Sequence, residues 1–329
     1  MSETVQEALD RIIQAVMDLK NIVRESGVTI TNSARVTEKS APMKSLATAQ
    51  TAAATIAEDD LDTFEKLKEA LHSTKWPDAV NKSLVCDPTS DRDKTERGRG
   101  IIELMIEEDL NGLKFLDAGC GEGHCAFISH EFGTKLSVGY DIRQAKSWPT
   151  FFEGKPDDVL NKVLFTDNFT AVSENGPYDV ILLFDVLDHI YGETPVALLT
   201  KLANLLSDNG KIYIRTHPWT SRHATHLYHD LNKAFIQLVF TEDEIRQLIP
   251  YSKHEEPSIK VTTPIATYDS FVRESGLKVV HRREIQEKVE PFFKIPKISD
   301  RICKATKFDK FPEFQMGICF VDYVATKAK

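Results

Sequence analysis

The stretch Phe115-Leu-Asp-Ala-Gly-Cys-Gly-Glu-Gly-His124 holds the residue types best placed to do chemistry. An apolar run ends in Asp117 and Ala118, and glycines then stand at 119, 121 and 123. Glycine at such a point lets the backbone turn sharply and approach a ligand closely. His124 to His130 can then open a helix whose first N–H groups face the same crevice. A dinucleotide site prefers Gly-x-Gly-x-x-Gly. Counted from Gly119 the last position of that pattern is His124, so the spacing is Gly-x-Gly-x-Gly instead. Two further groups of candidates follow. One is Asp185, Asp188 and His189 in FDVLDHI; the other is RTHPWTSRHATHLYH at 215–229, with four histidines, two arginines, Trp219 and Tyr228. Imidazoles can move protons near neutral pH, and guanidinium groups can hold a carboxylate or phosphate.

The Gly-x-Gly-x-Gly spacing resembles motif I of the class I S-adenosylmethionine-dependent methyltransferases, and the likeness continues in order along the chain. Asp141 ends SVGYDI, 18 residues after Gly123. The resemblance implies that its carboxylate accepts hydrogen bonds from both ribose hydroxyls, with Ile142 beside it. Asp167 and Asn168 follow VLFT, where the family places a polar residue beside the adenine. YDVILLFDVLDHI resembles the fourth motif, LLSDNGKIYIRT the turn and fifth strand, TYDSFVRESGLKVVHRREI a helix and sixth strand, and FQMGICFVDYVATK the reversed seventh strand. The resemblance covers about 95–329. It implies S-adenosyl-L-methionine as cofactor, held by Asp117, Ala118, Gly119, Cys120, Gly121, Gly123, Asp141, Ile142, Asp167, Asn168, Phe184 and Asp185. Asp117 has two open readings: it either receives hydrogen bonds from the glycine loop or touches the cofactor. Cys120 and Cys125 read as small apolar fillers rather than nucleophiles.

Methyl transfer from a sulfonium is an in-line displacement, so alignment and desolvation dominate and the fold does not dictate a base. His217, just past the fifth strand, is expected as a general base, with Asp185 and His189 as further catalytic candidates. His189 is equally suited to capping a helix. Arg215, Trp219 and Arg222 are expected to hold the acceptor. His223, His226 and His229 repeat at three-residue steps, but no nearby cysteine completes a zinc set, and no metal is expected. The fourth motif has no Asn-Pro-Pro-Tyr or Asp-Pro-Pro-Tyr, and the chain has no Pro-Cys, so the usual DNA methyltransferase signatures are absent. The acceptor stays open among RNA, protein and small molecules. The 215–229 segment also resembles methyltransferases encoded by bacteriophages.

Short apolar runs must position these groups. LKFLDAG, KLSVGYDI, VLFTDN, YDVILLFDV and GKIYIRTH are separated by helix-length segments, and two more strands come late. That alternation predicts an α/β fold with a Rossmann-like seven-stranded sheet and helices on both faces. A helix is expected from about Glu96 to Asp109, with Ile101, Ile102, Leu104, Met105 and Ile106 inward. Another should start at the capping box Thr241-Glu-Asp-Glu244 and run to about Ile249. Insertions at about 218–262 and 286–314 interrupt the sheet pattern and are expected to form a lid, an acceptor pocket or a packing surface.

Ahead of this domain, Val5, Leu9, Ile12, Val16, Leu19 and Val23 step by fours and threes, the pattern of a coiled-coil seam over 1–27. Residues 28–57 are rich in Ser, Thr and Ala and read as an extended arm or linker. Residues 58–94 read as a helical lead-in. Homo-oligomerisation, or docking in a larger assembly, through 1–57 is the expectation. The alternative is a structural component, for instance of a viral particle, built on a methyltransferase fold that no longer turns over.

The formal net charge of −9 disfavours sequence-independent binding of nucleic acid, which needs phosphate neutralisation. No apolar run reaches membrane-spanning length, and MSETVQEALD lacks the order of a secretory signal. Five cysteines without a Cys-x-x-Cys pair point to a reducing compartment, with the cytoplasm as the default.

Overall fold

The computed structural model describes residues 61–80, 91–190, 194–249 and 263–328, the side chains of 91–94, 225, 226 and 229 excepted. The expected coiled-coil helix 1–27 and arm 28–57 lie outside the described residues. In chain order the elements are α1 (Phe64–His72), α2 (Asp91–Met105), β1 (Lys114–Ala118), α3 (His124–Ile128), β2 (Leu136–Tyr140), α4 (Asp157–Leu160), β3 (Val163–Thr166), α5 (Phe169–Asn175) and β4 (Tyr178–Phe184). They continue with α6 (Thr194–Leu205), β5 (Leu206–Thr216), α7 (Ile236–Val239), α8 (Glu242–Leu248), α9 (Ile265–Glu274), β6 (Leu277–Gln286), α10 (Pro296–Thr306), α11 (Glu313–Gly317) and β7 (Ile318–Lys327).

The central strands β1, β4, β5 and β7 are apolar on both sides because both sides are covered. Leu116, Ile181, Leu183, Ile212, Ile214 and Tyr323 pack with Val172 of α5, Leu199 and Leu202 of α6, and Tyr268 and Val272 of α9. Their neighbours Phe115, Val180, Leu182 and Tyr213 point the other way, onto Ile102 and Met105 of α2 and Cys125 and Ile128 of α3. This period-two division places helices on each face of one sheet. The sheet is the expected seven-stranded one, in the order β3-β2-β1-β4-β5-β7-β6. β1 to β5 are parallel, and β7 runs antiparallel to both β5 and β6. The order reverses at β1, between β2 and β4, so a crevice opens at the carboxyl ends of these strands.

Three expectations shift. The helix expected at 96–109 is α2 at Asp91–Met105. Glu107, Glu108 and Asp109 oppose the negative end of a helix dipole, and the turn at Asn111-Gly112 follows. Leu104, expected inward, is exposed. The expected turn at Asp208-Asn209-Gly210 instead lies within β5, where the register against β4 slips between Tyr178 and Val180.

The two insertions fold together. Leu67 and Leu71 of α1, Trp76, Phe235, Ile236, Ile245, Phe293, Ile298 and Ile302 form a second core beside the sheet. The α8 start is a capping box, with the Thr241 hydroxyl and Glu244 carboxylate exchanging bonds with each other's backbone N–H groups. Trp76 anchors α1 there, its indole N–H donating to the Ala234 carbonyl at 2.9 Å. Among the described residues no helix is long and apolar enough to cross a membrane.

Candidate active site

Gly119, Gly121 and Gly123 all have positive φ, and at two of them the space is also closed. A Cβ on Gly119 would meet Val186 Cγ2 at 2.5 Å, and one on Gly123 would meet Phe165 Cε1 at 2.6 Å. The bend between them is held from β2. The N–H groups of Gly119 and Cys120 both donate to the Tyr140 carbonyl, at 2.7 and 2.9 Å. Gly121 N–H donates to Asp141 Oδ2 at 3.0 Å, and Arg143 N–H to Asp141 Oδ1 at 3.1 Å. Asp141 is therefore turned toward the bend. Two of its roughly four acceptor positions serve backbone N–H groups, which leaves capacity for a ligand's hydroxyls. Trp148 stacks on Phe165 and donates its indole N–H to the Gly121 carbonyl at 3.0 Å, so an aromatic wall supports the bend from outside.

Asp117 sits beneath, 4% exposed, and accepts from Ala126 N–H at 3.2 Å, tying β1 to α3. Burial pushes its carboxyl up to about 7; the Ala126 N–H works against this, and the charge of Asp141 adds to it. Asp117 thus accepts from the helix that follows the glycine loop rather than from the loop itself, and it also lines a cavity. That cavity, about 230 Å³, is bounded by Arg97, Gly98, Asp117, Gly119, Cys120, Glu122, His124 and Phe184 among others. Burial, then the charges of Asp117 and Asp141, push the Cys120 thiol far up; Cys125 shifts the same way through burial and Asp117. Neither is a thiolate nucleophile.

The other candidates disperse to different tasks. Ile142 is 77% exposed. Asp167 accepts from Gln144 Nε2 at 3.0 Å. Asn168 is the N-cap of α5, its side chain accepting from Thr170 N–H at 2.9 Å. Arg215, expected at the acceptor, is instead structural. It is 5% exposed, its Nε and Nη2 donate to the two Asp322 oxygens at 2.7 and 2.8 Å, and it lies between the rings of Phe184 and Phe320. Arg222 is a brace as well. It pairs with Glu290 and Glu287, donates to the Asp78 carbonyl and lies over Phe235. Trp219 borders the second core and lines a separate cavity of about 770 Å³ with Gln237, Ile265, Asp269 and Phe314.

Asp185, Asp188 and His217 come together. Asp185 follows Phe184 directly, has φ 53°, and donates its N–H to the Arg215 carbonyl at 3.0 Å. The His217 ring stands between the two acids: Nε2 is 3.4 Å from Asp188 Oδ2 and Nδ1 is 3.9 Å from Asp185 Oδ1. The side chains of His217 and Asp188 are each 3% exposed and that of Asp185 is 26%. Burial alone would lower the imidazole pKa, but the Asp188 charge and then Asp185 outweigh it and hold it above its ordinary value. His189 is more exposed, with Nε2 3.4 Å from Asp188 Oδ2. The pairing of Asp188 with His217, and the wall made by Trp148 and Phe165, escaped sequence reasoning. Asp188 was visible as an acid in the fourth motif, whereas nothing in the pattern around Trp148 marks it.

A family model described as a methyltransferase domain matches residues 90–281. No curated protein matches. Among solved structures, magnesium protoporphyrin IX methyltransferase from Synechocystis PCC 6803, with bound SAH, is 16% identical. The match covers 83% of this chain and 98% of that one at a TM-score of 0.43. A SAM-dependent methyltransferase from Archaeoglobus fulgidus is 17% identical over 72% of this chain and 95% of that one, at 0.42. One from Mesorhizobium loti is 14% identical over 69% and 95%, also at 0.42.

Proposed function

We infer that this chain, which belongs to the methyltransferase-domain family, binds S-adenosyl-L-methionine under the 119–123 bend. It passes the methyl group to an oxygen or nitrogen acceptor seated at Asp185, Asp188 and His217. One observation carries the reading: the bend and the buried acid–imidazole centre are adjacent, joined through Val186, whose side chain packs on Gly119. The cavity chemistry suits the donor. Arg97 can hold a carboxylate, and Asp117, Glu122 and the face of Phe184 suit a cationic sulfonium. Asp141, at the rim, suits ribose hydroxyls.

The reaction needs the acceptor lone pair in line with the methyl–sulfur bond and water kept from both. As the carbon–oxygen or carbon–nitrogen bond forms, the methyl–sulfur pair returns to sulfur and the acceptor's proton departs. The centre at 185–217 lies where that proton must be managed. Residues 1–57 serve to oligomerise the chain. Calorimetric titration of the full chain with S-adenosyl-L-methionine tests the cofactor half. One-to-one binding in the micromolar range is expected, and the absence of binding overturns the reading. A tritiated-methyl screen over nucleic acid, protein and metabolite pools then identifies the acceptor.

A further inference from the structure

We propose that the cavity of about 770 Å³ between the two insertions and α9 binds the body of the methyl acceptor, and that this acceptor is a small aromatic amine. Its volume is that of a small-molecule site, roughly 300–1,000 Å³. Rings dominate the lining: Trp219, Phe240, Phe308 and Phe314, with Ile265 and Ile318 beside them. Phe240 is fixed from behind by stacking on Trp76, so that wall is preformed. Phe308 and Phe314 are 42% and 60% exposed. They are the exposed phenylalanines among the described residues, and both border this one hollow. Exposed apolar surface gathered at a cavity marks a place that a flat apolar ligand covers.

The polar groups in the wall ask for a donor that carries positive charge. Asp269 and Glu284 share a single guanidinium. Arg282 donates to Asp269 through Nε at 2.8 Å and to Glu284 Oε1 through Nη1 at 2.7 Å. No second cation pairs with either acid among the described residues. One cation on two half-buried carboxylates leaves a negative charge there, which a ligand ammonium balances. Gln237 adds a neutral acceptor. Its Nε2 is spent on the carbonyls of Trp219 and Ser221, at 3.1 and 2.8 Å, so Oε1 is left for a ligand N–H. Of the remaining charged lining residues, Glu242 is paired with Arg246. Lys307 is exposed at the end of α10, where water and salt screen it. The same acids repel phosphates, which sets the site against a nucleic-acid acceptor.

The cavity's affinity for such a molecule stands on this lining, while its role as the acceptor's seat rests on the function inferred above. Trp219 and Thr220 of the wall are the second and third residues after His217. Their Cα atoms therefore lie at most about 11 Å from that of His217. α9 ties the two places together as well. Tyr268 donates its hydroxyl to the His217 carbonyl at 3.4 Å, and Asp269, the next residue, lines the cavity. A ring seated on Trp219, with its amine at Asp269 and Glu284, leaves its far end to the centre at Asp185 and His217.

The test titrates the full chain with naphthylethylamine and with naphthylacetate, which share a ring and carry opposite charge, and follows both by calorimetry. One naphthylethylamine per chain is expected, with naphthylacetate weaker by about tenfold or more. Glu284→Gln keeps an acceptor for Arg282 and should close most of that gap. Ala266→Trp fills the cavity from an exposed position in the first turn of α9 and should abolish binding of the amine. Phe314→Ser, also at an exposed position, should weaken it without adding bulk. No amine bound below millimolar concentration, naphthylacetate bound as tightly as the amine, or undiminished amine affinity in Ala266→Trp overturns the site. S-adenosyl-L-methionine binding is measured in parallel on every variant and should not change. Cofactor bound without the amine sinks the cavity proposal alone, and amine bound without cofactor sinks the methyltransferase reading alone. In the tritiated-methyl screen the label should enter a small-molecule fraction retained on a cation exchanger. Label confined to nucleic acid or protein overturns the acceptor class.

Discussion

A methyl group placed on Gly119 would stand 2.5 Å from Cγ2 of Val186, so no side chain separates the glycine bend from the centre that begins at Asp185. The positive φ of Gly119, 81°, adds strain for any other residue. Gly119→Ala should therefore weaken S-adenosyl-L-methionine binding by about tenfold or more, given roughly 1–2 kcal/mol of left-handed strain plus the clash. Val186→Ala in that background should restore part of the loss, because it removes the clash and leaves the strain. Calorimetry on the single and double variants decides; equal affinities in the two would show that the contact is unimportant.

Asp117 makes stability fall with rising pH. Its folded pKa, about 7, lies above the ordinary 3.8. Well below pH 3.8 both folded and unfolded forms are protonated and the group costs nothing. As pH rises toward and through 7 the unfolded carboxyl ionises first, and the folded state loses up to about 4 kcal/mol relative to acid. Asp117→Asn keeps an oxygen for the Ala126 N–H and removes the titration. Denaturant unfolding at about pH 4.5 and about pH 7.5 should show the variant gaining on wild type at the higher pH. A constant difference would refute the assignment.

Arg215 is held by Asp322 rather than by a substrate. Removing the guanidinium in Arg215→Met leaves a buried carboxylate partly paired, since Arg283 still donates to Asp322 Oδ2 at 2.7 Å. A loss of about 3 kcal/mol in unfolding free energy is expected. Asp322→Asn in the same chain should recover much of it. A substrate-holding arginine would instead raise the acceptor KM and leave the melting temperature alone.

The cysteine beside the bend should be inert. Burial and two acids keep the Cys120 thiol protonated, so iodoacetamide at neutral pH should label it far more slowly than free cysteine. Labelling at the rate of free cysteine, read by mass spectrometry of the peptide, would contradict this environment.

Deleting residues 1–57 should convert an oligomer into a monomer with unchanged cofactor affinity, because residues 55–329 form a compact unit of their own. Light scattering reads the mass. An identical mass before and after deletion would end the oligomerisation proposal.

The amino-acid sequence was sufficient for the sheet, because central strands covered on two sides must read as short apolar runs, and all seven strands of the sheet could be read, the exposed edge strand β6 included. It was sufficient for the bend too, since glycine is the one residue that tolerates left-handed backbone in close quarters. The capping box at Thr241 could be read for a similar reason: local hydrogen bonds have local signatures. What the sequence left undecided was how side chains are shared between distant segments. Arg215 and Arg222 look alike as free cations in the chain, and only folding brings Asp322 and Glu290 to them. His217 lies 32 and 29 residues from Asp185 and Asp188. They meet because β4 and β5 are parallel neighbours whose carboxyl ends deliver their following residues to the same edge. A pairing set by strand order has no trace in spacing, so the chemistry of that centre belongs to the tertiary structure.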